Sequence, residues 1–245
     1  VNLTYELSDK MNLRFGYGKT VARPTFRELA QYTTFDFVGD AFEVGNSNLT
    51  RTSIENFDLR FEVFPRVGEY IAASIFYKKF TSPIERVTSP FNNEPKDGLT
   101  FFFRNVPEAT VYGTELELRK GLDFISPSLA NFKIGTNVSF LVSEIDINPQ
   151  ELETIRVNQP DAEATRPLFG QSPYLVNALV SYAGENNGLS INASYNVIGP
   201  RLFLVSTGGT PNVFEQPRHL LDLNAKQKIT PKTSVKLSAQ NILDA

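Results

Sequence analysis

The sequence has 245 residues and a formal net charge of −3, from 24 Lys and Arg against 27 Asp and Glu. This balance lacks the basic excess that marks nucleic-acid binding, so we expect no nucleic-acid partner. The chain has no cysteine and a single histidine, which excludes disulfides, thiolate metal sites and a multi-histidine metal centre. We therefore predict no metal site, no cofactor, no catalytic residues and no enzymatic activity.

Apolar and polar residues alternate along most of the chain. The first segment places Leu3, Tyr5 and Leu7 on one side, with Thr4 and Glu6 on the other. Successive side chains of a strand point to opposite faces, so this pattern predicts strands with one apolar and one polar face. In chain order the clearest segments are residues 1–8, 11–18, 56–63, 71–77, 112–118, 132–142, 174–182, 189–197 and 235–239. The sequence predicts an all-β chain without a long helix.

Short, turn-rich connections alternate with long irregular stretches, which are residues 23–51, 89–98, 148–169 and 206–212. This alternation predicts about ten strands that run up and down. A soluble β-sandwich shares the two-residue period. However, tight turns on one rim, long loops on the other and aromatic residues near strand ends are typical of membrane barrels. The pattern therefore favours an antiparallel up-and-down transmembrane β-barrel over the sandwich.

Several short motifs lie on this scaffold in a fixed order. They are TVARPTFREL (20–29), GNSNLTR (45–51), IENFDLRFE (54–62), FYKKFTSPIE (76–85), NVPEATVYGTELE (105–117), QSPYLVN (171–177) and QNILD (240–244). In this order and spacing, the chain resembles the C-terminal part of the barrel of TonB-dependent outer-membrane receptors. The variant resembles those of Bacteroidetes-type bacteria.

The resemblance implies a receptor in the outer membrane of a Gram-negative bacterium. Such receptors bind a scarce nutrient (an iron chelate, cobalamin or a glycan) and import it by coupling to TonB. The expected partners are thus TonB, outer-membrane lipid and a small nutrient ligand. Barrels of this kind have 22 strands around a plug, so residues 1–245 are expected to form a single segment of the barrel domain, with the N-terminal plug and the last strand outside it. The alternatives are a passive outer-membrane channel or porin and a soluble β-sandwich binding domain.

Two groups of residues are candidates for function. Aromatic side chains beside an acid in the first long loop suit ligand capture, although they could instead pack the loop against its neighbours. Arg104 could meet an anionic ligand or pair with a neighbouring glutamate. The candidate ligand-binding residues are Tyr32, Phe35, Asp36, Phe37 and Arg104.

The second group consists of charged residues on the polar faces of the strands. The resemblance implies that these residues face the plug, and we call them the charged wall. Its members are Arg14, Arg60, Glu62, Glu115, Glu117 and Arg119. Glu115 and Glu117 share a strand face, as a carboxylate pair for acid–base chemistry would, but the sequence provides neither a shielding pocket nor a partner.

Overall fold

The computed structural model describes residues 1–37, 40–88, 99–184, 187–207 and 210–244. The predicted loop at residues 89–98 lies outside the described residues. Within these ranges the chain is almost entirely β-structure, as predicted. No helix in the described ranges has the length and apolar character needed to cross a bilayer.

The described residues form seventeen strands and two α-helices. Helix α1 is Phe26–Leu29 and helix α2 is Pro149–Asn158. The strands, in chain order, are β1 Asn2–Ser8, β2 Met11–Ala22, β3 Thr33–Asp36, β4 Ala41–Val44, β5 Thr52–Val63, β6 Tyr70–Thr81, β7 Ile84–Thr88, β8 Leu99–Asn105, β9 Glu108–Gly121, β10 Phe132–Asp146, β11 Thr165–Arg166, β12 Tyr174–Ala183, β13 Leu189–Ile198, β14 Arg201–Ser206, β15 Val213–Glu215, β16 Arg218–Thr230 and β17 Thr233–Ala239.

Ten strands form one antiparallel sheet in the order β1-β2-β5-β6-β9-β10-β12-β13-β16-β17, with β11 added on β10. Each strand pairs with the next in this order, which confirms the predicted up-and-down topology. The pairing runs over long stretches, for example from Met11 opposite Val63 to Ala22 opposite Thr52. The first and last strands do not pair with each other, so the sheet is open.

The two faces of this sheet differ in chemistry. Tyr17, Phe57 and Tyr77 lie side by side on the apolar face, with ring centroids 4.8 and 6.4 Å apart. On the same face Leu116 is 51 % exposed and Ile75 is 54 % exposed. Exposed apolar residues in a continuous belt are what a lipid-facing barrel wall requires. The other face carries the charged wall and forms the inner surface.

The connections divide cleanly between the two edges of the sheet. One edge, here called the turn edge, carries short connections, such as the two-residue turn at residues 9–10 and the turn at residues 64–69. The opposite edge, here called the loop edge, carries residues 23–51, 82–107, 147–173 and 199–217. Strand β2 ends at Ala22, immediately before Arg23 and Pro24, because proline cannot donate a hydrogen bond to the ladder.

The long connections are more ordered than the sequence predicted. Six strands at the loop edge form a second sheet in the order β15-β14-β7-β8-β4-β3. Two of its pairings, β4 with β8 and β7 with β14, are parallel and join segments distant in the chain. The prediction that residues 23–51 and 148–169 are irregular was therefore incomplete, since they contain β3, β4, α2 and β11.

Two small apolar cores stabilise the loop edge, one within the second sheet and one between the two sheets. Val87, Leu202 and Val205 form one cluster, with Phe102 and Phe169 packed against it. Val106, Ala109 and Ile145 form another where the two sheets meet. These cores pack the long connections of the loop edge against one another and against the first sheet.

Candidate functional site

The charged wall is assembled from strands β2, β5 and β9, with β6 between β5 and β9. Arg60 donates to Glu62 over 2.7 Å and to Glu117 over 2.5 Å, and Arg14 reaches Glu62 over 2.8 Å. The order β2-β5-β6-β9 makes this possible, because Ala72 and Ser74 on β6 are small enough for Arg60 to reach across that strand to β9. The Tyr70 hydroxyl donates to Glu117 over 3.1 Å.

The remaining two members of the charged wall lie on β9. The Arg119 guanidinium lies 5.8 Å from the centre of the Tyr70 ring. Glu115 forms no side-chain ion pair or hydrogen bond within the described ranges and is half-buried. The structure thus joins four of the six residues by ion pairs, links Arg119 to them only through Tyr70, and leaves Glu115 with its carboxylate available. The predicted role opposite a plug stays a prediction.

Of the candidate residues in the first long loop, Phe35 and Phe37 form ring contacts, whereas Tyr32 lies apart from them. Phe35 contacts Phe37 edge-on at 4.9 Å between ring centroids, and it contacts Phe42 at 5.0 Å. We call these three residues the aromatic group. Phe37 is 87 % exposed, whereas Phe35 is 38 % exposed. Tyr32 is exposed and makes no ring contact within the described part of the chain. Asp36 is the last residue of β3 and lies between Phe35 and Phe37 in the sequence. The group presents an aromatic surface at the loop edge.

Arg104 belongs to a cluster of charges between the second sheet and α2. It pairs with Glu85 over 2.8 Å and with Glu151 over 2.8 Å. Arg166 donates to both carboxylate oxygens of Glu85, over 2.6 and 2.7 Å. Of the two roles considered for Arg104, pairing with glutamate is therefore the arrangement observed. We call Glu85, Arg104, Glu151 and Arg166 the buried ion cluster.

Burial makes this cluster unusual. The Glu85 side chain is 0 % exposed and the Arg166 side chain is 6 % exposed. Sequence reasoning did not identify Glu85, Glu151 or Arg166. The sequence signal that could have identified Glu85 is the adjacent charged pair Glu85 and Arg86 within the short strand β7. Successive residues of a strand point to opposite faces, so this pair places one charge on each face.

Arg86, also not identified from the sequence, occupies the other face of β7. Its guanidinium lies 4.0 Å from the centre of the Phe101 ring and 5.7 Å from that of Phe203. It also pairs with Glu43 over 3.2 Å, and Arg27 reaches the same carboxylate over 2.8 Å. Cation–π contact and ion pairing together hold this arginine in one orientation.

A third group of charges joins two turns at the turn edge, outside the strands of the ten-stranded sheet. Arg66 binds Asp123 with two hydrogen bonds of 2.7 and 2.8 Å and pairs with Glu69 over 2.6 Å. The hydrogen bond from Arg66 lowers the pKa of Glu69 to about 2, with further help from the Gly121 N–H and from Lys120. The pKa of Asp123 is lowered by the same arginine.

Among the described residues, no three His, Asp or Glu side chains are placed to hold a metal ion. What the chain presents is a lipid-compatible outer surface, a charged inner surface and an aromatic surface at the loop edge. The family described as "TonB dependent receptor-like, beta-barrel" matches residues 1–242. The chain belongs to the TonB-dependent receptor β-barrel family. The family predicted from the motifs is thereby confirmed; the Bacteroidetes-type variant stays a prediction.

Solved structures of TonB-dependent receptors resemble the chain along its length. The ferric enterobactin receptor PfeA from Pseudomonas aeruginosa, in complex with enterobactin, aligns with a TM-score of 0.64 and 17% identity over 98% of this chain and 34% of that one. The siderophore receptor PirA from Pseudomonas aeruginosa gives 0.64 and 15% over 100% and 38%. FpvA of P. aeruginosa, bound to a pyoverdine–Fe complex, gives 0.62 and 14% over 100% and 28%.

At these identities the likeness concerns the fold. The chain spans about a third of the length of these receptors. A comparison with curated proteins gave no significant match.

Proposed function

We propose that this chain is the barrel segment of an outer-membrane receptor of a Gram-negative bacterium that binds a scarce nutrient and imports it with energy supplied through TonB. The observation that carries the proposal is the ten-stranded antiparallel sheet with a continuous apolar outer face and a charged inner face. Family membership over residues 1–242 supports it. The plug and the final strand of a 22-stranded barrel lie, in this proposal, outside residues 1–245.

Among the nutrient classes expected from the sequence, we favour a ferric siderophore over cobalamin and glycans. The solved receptors of similar fold are named for ferric enterobactin, siderophores and pyoverdine. The aromatic group and Tyr32 supply exposed ring faces that suit the aromatic and apolar parts of such chelates. Asp36 and Arg104 complete the proposed site as polar groups at its border, and Arg104 would act while paired with Glu85 and Glu151.

The proposal is tested with the full-length receptor in cells that lack other receptors of this class. Binding and uptake of ⁵⁵Fe-loaded siderophores, labelled cobalamin and labelled oligosaccharides are measured with and without a protonophore. We expect saturable binding of one ferric siderophore class and uptake that the protonophore abolishes. Uptake that is unsaturable and indifferent to the protonophore would instead establish the passive channel.

A single substitution tests the aromatic group. Phe37→Ala removes an exposed ring, so it leaves folding intact, and the loss of about 1 kcal/mol of aromatic contact should raise the Kd of the bound nutrient about fivefold. Val67→Ala is the matched control, because Val67 is fully exposed at the opposite, turn edge. Equal Kd values for both variants would remove the aromatic group from the binding site.

A further inference from the structure

Three adjacent strands of the inner surface are neutral over most of their length, and the inward-facing charge on β10, Lys133, lies near the turn edge. The inward-facing residues from Gly135 to Ser143 on β10, from Leu175 to Ser181 on β12 and from Ser190 to Asn196 on β13 are all neutral. We call their polar members and the glycine the neutral strip. It consists of Gly135, Asn137, Ser139, Ser143, Asn177, Ser181, Ser190, Asn192, Ser194 and Asn196.

Charges return on both sides of the neutral strip. On one side, β9 carries the charged-wall residues Glu115, Glu117 and Arg119, and Ser139 lies directly opposite Glu115 in the register. On the other side, Asp222 and Lys226 face inward from β16. The inner surface therefore changes character over a single strand spacing, about 4.8 Å.

The neutral strip contains a depression and unused hydrogen-bonding groups. A groove of about 330 Å³ runs over Asn137, Asn177 and Asn196, with Tyr70 and Arg119 at its border. Asn196 donates to the side chain of Asn177 over 2.5 Å. Within the described residues, the side chains of Asn137, Asn192 and Ser194 form no hydrogen bond, and none of these three residues is buried. These groups can bond to a molecule that occupies the lumen.

We propose that the neutral strip lines the passage through which the nutrient crosses the barrel, while the charged wall holds the plug; this rests on the proposed function. A passage must bind its solute weakly enough to release it, and neutral hydrogen-bonding groups bind more weakly than charged ones. A charged surface instead fixes the register of a complementary partner. The plug thus packs closely against β2, β5 and β9 and leaves water along β10, β12 and β13.

The test is the accessibility of single cysteines in a cysteine-free form of the full-length receptor, purified in detergent. Ser139→Cys and Glu115→Cys form a matched pair, because the two residues lie opposite each other on adjacent strands at the same depth. Asn192→Cys lies two strands further along the strip, and Val138→Cys faces the detergent. The probe is a small, positively charged methanethiosulfonate, whose rate of reaction is measured by mass spectrometry.

We expect the cysteines at 139 and 192 to react at least tenfold faster than that at 115, with Val138→Cys as the unreactive baseline. Equal rates at 139 and 115, or faster reaction at 115, would overturn the proposal. Ser139 is buried, whereas Asn137 is only half-buried, so Asn137→Cys and its opposite residue Glu117→Cys are measured beside the first pair, and the cysteine at 137 is expected to react faster than that at 117. No nutrient enters this assay, so its outcome is separate from failure of the binding and uptake experiments.

Discussion

The buried ion cluster makes a sharp prediction about Glu85. This carboxylate is fully buried and is the counter-ion of Arg166, whose side chain is 6 % exposed. Glu85→Ala leaves Arg166 charged and without a carboxylate partner in the interior. Glu151 does not replace Glu85, because it is already paired with Arg104. Removing one partner of a buried pair costs about 3–5 kcal/mol. The contact between Glu85 and the more exposed Arg104 adds at most about 1 kcal/mol after solvent screening.

The cost should appear locally, because the cluster joins β7 and β8 to β11 and α2. We expect amides of Thr165–Arg166 and of residues 150–158 that exchange through local opening to do so about 10²- to 4 × 10³-fold faster, since each 1.4 kcal/mol is a factor of ten. Hydrogen exchange of the full-length receptor, followed by mass spectrometry, measures this directly. The effect should stay within the second sheet and its neighbours and spare the turn edge.

Two companion variants separate charge burial from general damage. Glu215→Ala removes an ion pair of the same sheet whose partners, Arg201 and Glu215, are both more than 40 % exposed, so exchange should change less than about fivefold. Replacing both buried partners, as in Glu85→Leu with Arg166→Met, should recover most of the protection, because an apolar pair leaves no unpaired charge. Unchanged exchange in Glu85→Ala, or no recovery in the double variant, would refute the reasoning.

Two further predictions concern the turn edge and the lipid-facing belt. Glu69 has a pKa lowered from 4.5 to about 2, so its contribution to stability is fully present above pH 4.5 and is lost as the pH falls towards 2. The difference in unfolding midpoint between the full-length receptor and its Glu69→Gln variant should therefore shrink between pH 4.5 and pH 2. A difference that stays constant over this range would contradict the prediction. Leu116→Arg places a charge on the apolar face near the middle of β9 and should cost about 2–4 kcal/mol in refolding titrations with lipid vesicles. Ser194→Arg, on the inner face, should cost clearly less, and equal costs would mean that the two faces are wrongly assigned.

Nine of the ten strands of the first sheet were predicted as alternating segments of the sequence, whereas β16 was not among those segments. A period of two over five or more residues fixes both the strand and its two faces, and the short turns at the turn edge fix which strands are neighbours. The pairing of Arg60 with Glu62 follows from their spacing on one strand. The pairing of Arg60 with Glu117 requires the order β5-β6-β9, which the alternating connections implied.

The second sheet was not predictable in the same way, since its strands are three to seven residues long and its key pairings are distant in sequence. Val44 lies beside Phe102 and Val87 lies beside Val205 in parallel pairs. Because no short turn connects these paired strands, the sequence gives no local sign that they are neighbours. The partners of Arg104 depend on this arrangement: Glu85 is brought opposite it by the register of β7 and β8, and Glu151 arrives with α2 from another loop. The sequence around an arginine can predict that it pairs with a carboxylate, but only the tertiary structure shows which carboxylate it is.

The same distinction explains why the inner surface is more informative than any single residue on it. The alternation of apolar and polar residues predicts only that a residue faces inward. The order of the strands in the sheet then determines which inward-facing residues are neighbours. Read in chain order, Glu115 and Ser139 are unrelated, yet in the sheet they lie opposite each other at the border between charged and neutral surfaces. If the plug follows charge, this border marks where the plug ends and the passage begins. Asn137→Lys extends the charged surface across the border, opposite Glu117, so it should slow uptake of the labelled nutrient while leaving nutrient binding at the loop edge unchanged; unchanged uptake would contradict this assignment of the border.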